Sequence, residues 1–365
     1  MAAPLLHIAT AFDWRAALAA EAVKPASLDD VGFVHLSTPE QVALPADRLF
    51  RGRTDLVLLV LDPDRIGAPI RYEPGVPTDP ASMLFPHAYG PLPTGAVLAV
   101  LPWQPRPDGG FDAPAVPPMD PGGRHATLER SLLRRVATSE LPVTGGVAVL
   151  TAPVPASHAH NQLLIDSPVS SDQLASETDR VLGGAGLVHR QAHLYGDHLA
   201  DTAAALAADG WDVTELVGMA APAGGEPVAR VAQVDLDTLR PMLAAGWRRE
   251  VPGFSESTVE QLADRYAIED TRADVRYLAV HDNRDVVACA LLKIDGGTAL
   301  LDAVLTEPAG RGRGHGDAVV RTALALAAKA DCDLVVLDAD ANDWPRHWYR
   351  RRGFTEVTRS WSARR

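Results

Sequence analysis

The amino-acid sequence predicts a multidomain protein of the α/β (α+β) class. Short apolar runs of strand length alternate with amphipathic helical stretches through the central and C-terminal parts of the chain, and this alternation is typical of mixed folds. A chain of 365 residues exceeds the usual size of one core and predicts two or three domains. Two stretches rich in proline and glycine, at residues 102–121 and 220–226, read as breaks between them.

Charge and cysteine content narrow the class of protein. The chain carries 47 acidic and 34 basic residues, a formal net charge of −13, which argues against a dedicated nucleic-acid binder. No apolar run is long enough to span a bilayer, and the first residues lack the features of a signal peptide. Two cysteines, Cys289 and Cys332, exclude a disulfide framework. We therefore expect a cytoplasmic protein with no membrane partner, and the sequence does not indicate its oligomeric state.

The breaks predict four parts of the chain. These are an N-terminal domain at 1–105, a proline-rich linker at 106–121, a second lobe at 122–222 and a C-terminal domain at 226–365.

In the N-terminal domain, the pattern predicts a helix near 14–21 and strands at 55–61 and 96–100. Three histidines stand in short apolar contexts, where an imidazole needs a hydrogen-bond partner. The sequence leaves two interpretations open: three separately satisfied core histidines, or a polar pocket. The pocket would contain His7, His35, His87 and Glu73.

The same segment resembles domain-of-unknown-function family 952 over about residues 5–101. The resemblance rests on Gly-Phe-x-His-x-Ser around His35, Arg-Tyr-Glu at 71–73 and Phe-Pro-His-x-Tyr-Gly-Pro at 85–91. It implies a fold similar to ADP-ribosyltransferases, with His35, Arg71, Glu73 and His87 lining the pocket. It does not by itself imply an activity.

The second lobe and the C-terminal domain show a regular alternation of elements. In the second lobe we predict strands at 147–150, 162–165, 187–194 and 213–219 and helices at 171–182 and 197–208. In the C-terminal domain we predict strands at 228–233, 276–281, 286–294, 299–305, 333–338 and 354–360 and helices at 236–244, 257–266, 314–330 and 345–351.

A glycine-rich turn between a strand and a helix is the most informative motif. Glycines let the backbone turn tightly and present N–H groups, and the following helix N-terminus favours an anion such as a pyrophosphate. The turn lacks the Gly-Lys-Ser/Thr of a nucleotide-hydrolase loop and comes too late in its domain for a dinucleotide fold. A turn without a ligand is the alternative. The turn consists of Arg311, Gly312, Arg313, Gly314, His315 and Gly316.

This part of the chain resembles the Gcn5-related N-acetyltransferase (GNAT) family over about residues 228–360. The family's acyl-CoA loop has the pattern Arg/Gln-x-x-Gly-x-Gly/Ala, matched by Arg311, Gly314 and Gly316. A downstream Asn, Tyr and Gly-Phe at the family's spacing are matched by Asn342, Tyr349 and residues 353–354. Pro345 departs from the family pattern between Asn and Tyr.

The resemblance implies acetyl-CoA as cofactor and assigns residues to it. The loop 311–316, Leu305 and Asn342 would bind the cofactor, and Tyr349 would be the general acid that protonates the leaving thiolate. A phenol with a pKa near ~10 suits that role. Asp302 and Glu307 are the nearest carboxylates by sequence and are the candidate general bases, although a solvated strand-end role is the alternative for each. No metal ligand set is predicted.

The second lobe has the rhythm of half a GNAT fold and ends in helix–Gly–Trp at residues 199–211, but it has no acyl-CoA loop. It therefore resembles a degenerate lobe of a tandem acetyltransferase, with an unrelated α/β module as the alternative. Its histidines have no zinc-binding spacing.

The leading functional hypothesis is acetyl transfer from acetyl-CoA to a primary amine of a small molecule or peptide. We expect direct attack in a ternary complex, since neither cysteine stands in a nucleophile context. One alternative places NAD-dependent ADP-ribosyl transfer or ligand binding in the N-terminal domain. The GNAT part would then act as a regulator or as an acyl-CoA sensor.

Overall fold

The computed structural model of the protein describes residues 3–75 and 83–365. Its architecture is mixed α/β, as the sequence predicts, with small sheets in the N-terminal domain and one long sheet across the rest. Residues 1–2 and 76–82 of the predicted N-terminal domain lie outside the described residues. The division into four parts stays a prediction, and the segments on both sides of residues 222–226 share one sheet.

The N-terminal domain packs small antiparallel sheets around an apolar core. Its elements are β1 (Leu5–Thr10), α1 (Ala11–Ala20), β2 (Ala22–Val23), α2 (Ala26–Val31), β3 (Val34–His35), α3 (Ala43–Leu49), β4 (Leu56–Leu61), β5 (Ile70–Pro74), β6 (Leu84–Ala88), β7 (Leu92–Pro93) and β8 (Val97–Pro102). Strand β4 is buried along its whole length because it lies between β1 and β8. A second antiparallel group has the order β3, β6, β5.

Part of the predicted linker packs on the N-terminal domain. The Phe111 ring lies 4.6 Å from the Trp103 ring, and the Phe111 N–H donates to Asp47 at 2.8 Å. Burial of two aromatic rings fixes the start of this segment on the domain, so it is not free to extend there.

The remaining elements alternate along the chain much as predicted. The second lobe contains α4 (Pro121–Val136), β9 (Ser139–Val143), β10 (Gly146–Leu150), β11 (Gln162–Ile165), α5 (Ser171–Thr178), β12 (Gln191–Tyr195), α6 (Ala200–Ala208) and β13 (Asp212–Pro222). The C-terminal domain contains β14 (Val231–Val234), α7 (Leu236–Glu250), α8 (Glu256–Asp264), α9 (Tyr266–Glu269), β15 (Asp274–Asp282), β16 (Asp285–Ile294), β17 (Thr298–Thr306), α10 (His315–Lys329), β18 (Leu334–Asp340), α11 (Trp344–Arg350) and β19 (Thr355–Arg364).

The two lobes exchange their last strands. The order of the long sheet is β14-β15-β16-β17-β18-β13-β19-β12-β11-β10-β9. Strand β13 of the second lobe lies between β18 and β19, and β19 of the C-terminal domain lies between β13 and β12. Each lobe therefore satisfies backbone hydrogen bonds of the other, which makes the two lobes one folding unit.

Helices cover both faces of the long sheet. Helix α10 packs on one face, against residues such as Leu278, Leu292 and Val335. Helices α7–α9 pack on the opposite face. Helix α4 shares that second face, where Leu128 contacts Leu300 and Val336 at the centre of the sheet.

Buried polar contacts join the N-terminal domain to the β16–β17 hairpin. The Trp14 indole N–H donates to Asp295 at 2.7 Å, and Arg135 of α4 pairs with the same carboxylate. The Gly297 N–H donates to the Val97 carbonyl at 2.7 Å. Because an unpaired buried carboxylate is costly, these contacts hold the three segments together as a set.

Gly218 of β13 gives a test of this packing. An added Cβ there would lie 2.5 Å from the His125 ring and 2.4 Å from Thr358, so we expect Gly218→Ala to destabilise the protein by about 1–3 kcal/mol. The measurement is the free energy of unfolding in urea.

Gly246→Ala in α7 is the control. Its Cβ would meet Leu305 at an ordinary 3.5 Å, so helix propensity should stabilise the protein by about 0.5–1 kcal/mol. Equal effects of both changes would contradict the packing.

Candidate active site

The glycine-rich turn forms an open cradle at the N-terminus of α10. The backbone φ angles of Gly312 and Gly314 are +75° and +73°, in the left-handed region that favours glycine. Gly314 is the N-cap of α10 and has no side chain to accept from the first N–H groups of the helix. Those amides are left for a ligand. The carbonyl of Gly314 accepts from Arg230 at 2.7 Å, which fixes the turn.

The equivalent turn of the second lobe is closed. Helix α5 begins with a capping box in which the Ser170 hydroxyl accepts from the Gln173 N–H at 3.2 Å. The Gln173 side chain in turn accepts from the Ser170 N–H at 3.1 Å. Because the Ser170 side chain already accepts from the Gln173 amide, the start of this helix is less open to an anion than that of α10.

Helix α11 packs against the backbone of the glycine-rich turn. A Cβ on Gly316 would lie 3.4 Å from the Trp348 ring, so the loop backbone passes close to that ring. The Arg352 guanidinium lies 3.6 Å from the centroid of the Trp348 ring, and Arg352 pairs with Asp317 of α10 at 3.0 Å. Arg311 and Arg313 are exposed at the rim of the turn.

A gap between β17 and β18 leads away from the cradle. The two strands pair in parallel from Thr298 with Leu334 to Leu300 with Val336, and the pairing ends there. Beyond that point β17 continues to pair with β16, and β18 with β13. The inner edges of β17 and β18 therefore present unpaired backbone groups to the gap, which suits an extended ligand with amide groups.

A bulge on β17 lies beside the gap. The pairing of β17 with β16 shifts register near Asp302, and Ala303 has a φ of +47°. A non-glycine residue in this region stores roughly 1–2 kcal/mol of backbone strain. The Ala303 N–H donates to the Asp302 carboxylate at 2.6 Å, which helps hold the strained turn. Such strain is concentrated at functional sites.

Tyr349, the predicted general acid, lies on α11 and packs against the core under α10. Its ring is 4.9 Å from Trp348 and 5.6 Å from Phe354. Burial raises the pKa of the Tyr349 phenol, and the charge on Asp302 adds to the rise. The phenol therefore keeps its proton at neutral pH.

Asp302, a predicted base, is half-buried and pairs with the buried Lys293. Lys293 Nζ lies 2.7 Å from the Asp302 carboxylate and 2.5 Å from Glu269. Burial alone would raise the pKa of Asp302, but the charges of Lys293 and Arg265 outweigh it and lower the pKa to about 2. A carboxylate with so low a pKa is a weak proton acceptor.

The other predicted residues lie around the cradle. Glu307 accepts two bonds from the Arg249 guanidinium, at 3.1 and 3.2 Å, so its carboxylate is occupied. Leu305 lies on the last part of β17, opposite Cys289 of β16. Asn342 is exposed in the turn before α11, where its backbone N–H donates to Asp340 at 2.7 Å. Pro345 occupies the second position of α11, which Asp343 caps.

Helix α4 brings residues to the gap that the sequence analysis missed. His125 Nε2 lies 3.1 Å from Asp338 of β18, just past the point where β17 and β18 separate. Burial lowers the pKa of His125, but the charge and hydrogen bond of Asp338 outweigh it, so the net shift is upward. Glu129 follows one turn later and accepts from the Tyr195 hydroxyl at 3.3 Å. Asp120 before a proline, followed by apolar residues at helical spacing, is the signal that predicts this helix.

The N-terminal domain contains a separate cavity of about 1320 Å³. His7, His35, Glu73 and His87 all line it, so the structure brings together four of the five predicted pocket residues. Arg71 is not among the lining residues; its guanidinium lies 4.4 Å from the centroid of the Tyr89 ring.

Several side chains of the pocket have hydrogen-bond partners that fix their positions. His7 Nδ1 lies 2.9 Å from the His35 carbonyl, so it donates, and burial lowers the pKa of His7. The Tyr89 hydroxyl donates to Glu73 at 2.7 Å and lowers the pKa of that carboxyl. His87 Nδ1 is 3.4 Å from Glu73, and its buried Nε2 has no hydrogen-bond partner among residues 3–75 and 83–365. An acceptor in that position is the kind of atom that a ligand satisfies.

Two further features concern the described residues as a whole. No group of three histidine, cysteine or acidic side chains within residues 3–75 and 83–365 is arranged to hold a metal ion. In the same ranges no helix has both the length and the apolar character of a membrane span.

Family models match two segments of the chain. Residues 240–354 match the acetyltransferase (GNAT) family, and residues 8–100 match the protein family of unknown function DUF952. The chain therefore contains a GNAT acetyltransferase domain and a DUF952 domain, as the sequence motifs predict. The GNAT match supports acyl transfer in general. No curated protein matches the chain.

Solved structures resemble different parts of the chain. A conserved protein of unknown function from Staphylococcus epidermidis is 13% identical, with a TM-score of 0.50 over 62% of this chain and 93% of its own. A GCN5-related N-acetyltransferase from Kribbella flavida is 17% identical, with a TM-score of 0.47 over 66% and 94%. A protein from Caulobacter crescentus is 29% identical, with a TM-score of 0.27 over 30% and 93%.

The ion-pair cluster at Lys293 gives a test of the site's electrostatics. We expect Lys293→Met to destabilise the protein at pH 7 by about 3 kcal/mol, because the buried Glu269 and the half-buried Asp302 lose a counter-charge. The pairing lowers the pKa values of Asp302 and Glu269, so its stabilisation is present above the carboxyls' unfolded pKa values and is lost as the pH falls. Urea unfolding should therefore show the deficit shrinking towards about pH 4, as the variant's carboxyls take up protons.

Lys329→Met is the matched control, because Lys329 is exposed near the end of α10. It should change the free energy of unfolding by less than about 0.5 kcal/mol. An equal loss in both variants, or a loss in Lys293→Met that does not depend on pH, would contradict the buried cluster.

Proposed function

We propose that the protein is an acyl-CoA-dependent N-acyltransferase that transfers an acetyl group from acetyl-CoA to a primary amine of a small molecule or peptide. The observation that carries the proposal is the uncapped helix N-terminus at Gly314, which opens beside the gap between β17 and β18. An anion-binding turn that is followed by an unpaired strand edge suits a long ligand. Such a ligand would have a diphosphate at one end and amide groups along its length.

The fit of acetyl-CoA rests on chemistry at three places. The backbone of residues 311–316 would hold the diphosphate, with Arg311 and Arg313 adding charge at the rim. The inner edge of β18 would bond the amides of the arm, and Leu305 and Asn342 would contact the cofactor. Bound acetyl-CoA would supply the thioester that the amine attacks.

Tyr349 would act as the general acid. Departure of the thiolate requires a proton donor within ~3 Å. Burial raises the pKa of Tyr349 and keeps the phenol protonated at working pH. Its position on α11, directly after the Trp348 that supports the cradle, would bring the donor to the end of the gap.

The N-terminal cavity favours ligand binding as a second function. The Nε2 of His87, which has no partner within the described part of the chain, costs roughly 1–3 kcal/mol unless a ligand donates to it. ADP-ribosyl transfer from NAD, an acyl-CoA sensor role for the GNAT domain and a cytoplasmic location stay predictions.

Gly314→Val tests the leading proposal. The φ of +73° disfavours any side chain, and the new Cβ would crowd Arg230 at 3.3 Å, so the cradle should distort. We expect acetyl-CoA affinity in calorimetry to fall by at least about tenfold, or about 1.4 kcal/mol. Amine-dependent release of the CoA thiol by the wild-type protein, over a panel of primary amines, would then report transfer.

The control for this test is Gly186→Val, which has the same backbone cost at a φ of +77° with open space around it and lies in the second lobe. It should leave acetyl-CoA affinity unchanged. Equal affinities of wild type and Gly314→Val would exclude the turn as the cofactor site.

His87→Phe tests the second function. The new ring keeps the stacking on Phe33, whose centroid is 4.0 Å from that of His87, but removes the partnerless nitrogen. We expect native mass spectrometry to show a small molecule on the wild-type protein and none on the variant. Equal occupancy of the two, or a wild-type protein that retains nothing, would argue against a ligand at His87.

A further inference from the structure

Amine acetylation needs a proton acceptor that neither predicted base supplies. A primary ammonium must lose a proton before its nitrogen can attack, and an efficient base has a pKa near the working pH. Asp302 is paired with Lys293 and with the Ala303 N–H, and its pKa is lowered to about 2. The Glu307 carboxylate accepts hydrogen bonds from both terminal nitrogens of the Arg249 guanidinium. The base must therefore come from another element near the gap.

Glu129 is a half-buried carboxylate on α4, the helix of the second lobe that packs over the two strands bordering the gap. It lies one helical turn after His125, which contacts Asp338 where β17 and β18 separate. Leu128, the preceding residue, packs on Leu300 at the last paired position of β17. In the described part of the chain, no basic side chain lies within ion-pair distance of the Glu129 carboxylate. The Glu129 carboxylate accepts a hydrogen bond from the Tyr195 hydroxyl.

The charges around Glu129 come from every strand that borders the gap. The pKa of Glu129 is raised to about 7, and burial is the largest cause of the rise. The negative charges of Asp338 and Asp302 add to that rise, whereas the positive charges of His125 and Lys293 oppose it. The ionisable groups that act on Glu129 include His125 on α4, Tyr195 on β12, Lys293 on β16, Asp302 on β17 and Asp338 on β18.

We propose that Glu129, supplied by the lobe that lacks a cofactor loop, is the general base for the acyl transfer of the C-terminal domain. This assignment rests on the proposed function. It gives the second lobe a chemical role, because the lobe closes the gap with a helix that carries the proton acceptor. Glu129 accepts its proton directly from the amine or through one water.

The protons balance in this assignment. The amine, a cation in solution, gives up two protons in becoming an amide: one passes to Glu129 and on to solvent. As the new C–N bond forms and the C–S bond breaks, Tyr349 protonates the departing sulfur. The second proton from nitrogen restores the phenol through solvent. The products are the amide, the CoA thiol and one released proton.

The test uses the full chain with acetyl-CoA alone, so that water replaces the unidentified amine. With protein in excess, thiol release measures hydrolysis of bound acetyl-CoA in a single turnover, and the same base must activate the water. In the wild type we expect the rate to rise with pH and level off above the pKa of Glu129, about 7. Glu129→Gln should lose this rise and fall about 10²-fold at pH 8, with unchanged acetyl-CoA affinity in calorimetry.

Three variants separate Glu129 from its neighbours. Tyr349→Phe should slow thiol release but keep the rise with pH, because it removes the acid and leaves the base. Asp302→Asn should also keep the rise, with its midpoint moved to lower pH because a charge that raises the pKa of Glu129 is removed. Glu226→Gln, at an exposed glutamate between the lobes, is the matched control and should behave as the wild type. An unchanged pH profile in Glu129→Gln, or a profile lost in Asp302→Asn, would overturn the assignment.

Carboxyl ¹³C NMR gives a second measurement in case hydrolysis is too slow. The resonance missing from Glu129→Gln should titrate near 7 and shift when acetyl-CoA binds; a resonance that ignores acetyl-CoA overturns the assignment. Calorimetry distinguishes failure of the proposed function from failure of the Glu129 assignment alone. A wild-type protein that does not bind acetyl-CoA overturns the proposed function and the assignment with it. Normal binding with an unaltered Glu129→Gln profile overturns the assignment alone.

Discussion

The exchange of β13 and β19 is the constraint on which the site depends. Strand β13 pairs with β18 along residues 216–222, on the side of β18 away from the gap. That pairing leaves the other edge of β18 free to separate from β17 without losing its place in the sheet. A gap between two strands normally weakens a sheet, and here strand exchange between lobes compensates for it.

Helix α4 is the second element that joins the parts. Arg124 forms two bonds with Asp333, and Arg65 of the N-terminal domain pairs with the same carboxylate. Near its other end, Arg135 and Trp14 share Asp295. The Arg135–Asp295 pair is buried and therefore favours one arrangement, because any shift would leave a buried charge unpaired, whereas Asp333 is half exposed. Residues of the DUF952 domain therefore share carboxylate partners with α4, the helix that packs over the gap between β17 and β18.

Sequence patterns predicted the structural features that depend on residues close together in the chain. The glycine turn, α10, Tyr349 on α11 and the pocket histidines all follow from residue spacing in this sequence. The strand exchange could not be predicted, because β13 and β19 are far apart in the chain and their pairing depends on tertiary contacts. Asp302 and Glu307 lie close to the loop in sequence, but their arginine and lysine partners come from other elements. Helix α4 was missed because its proline-rich approach obscured a regular apolar spacing.

The insertion of β19 also shapes how the chain acquires its structure during synthesis. The place beside β12 stays vacant until β19 has left the ribosome, long after the other strands of the second lobe are made. Until then β12 and β13 present unpaired edges that invite pairing with other chains. Chaperone occupancy during translation should therefore persist on the second lobe until the last strand arrives.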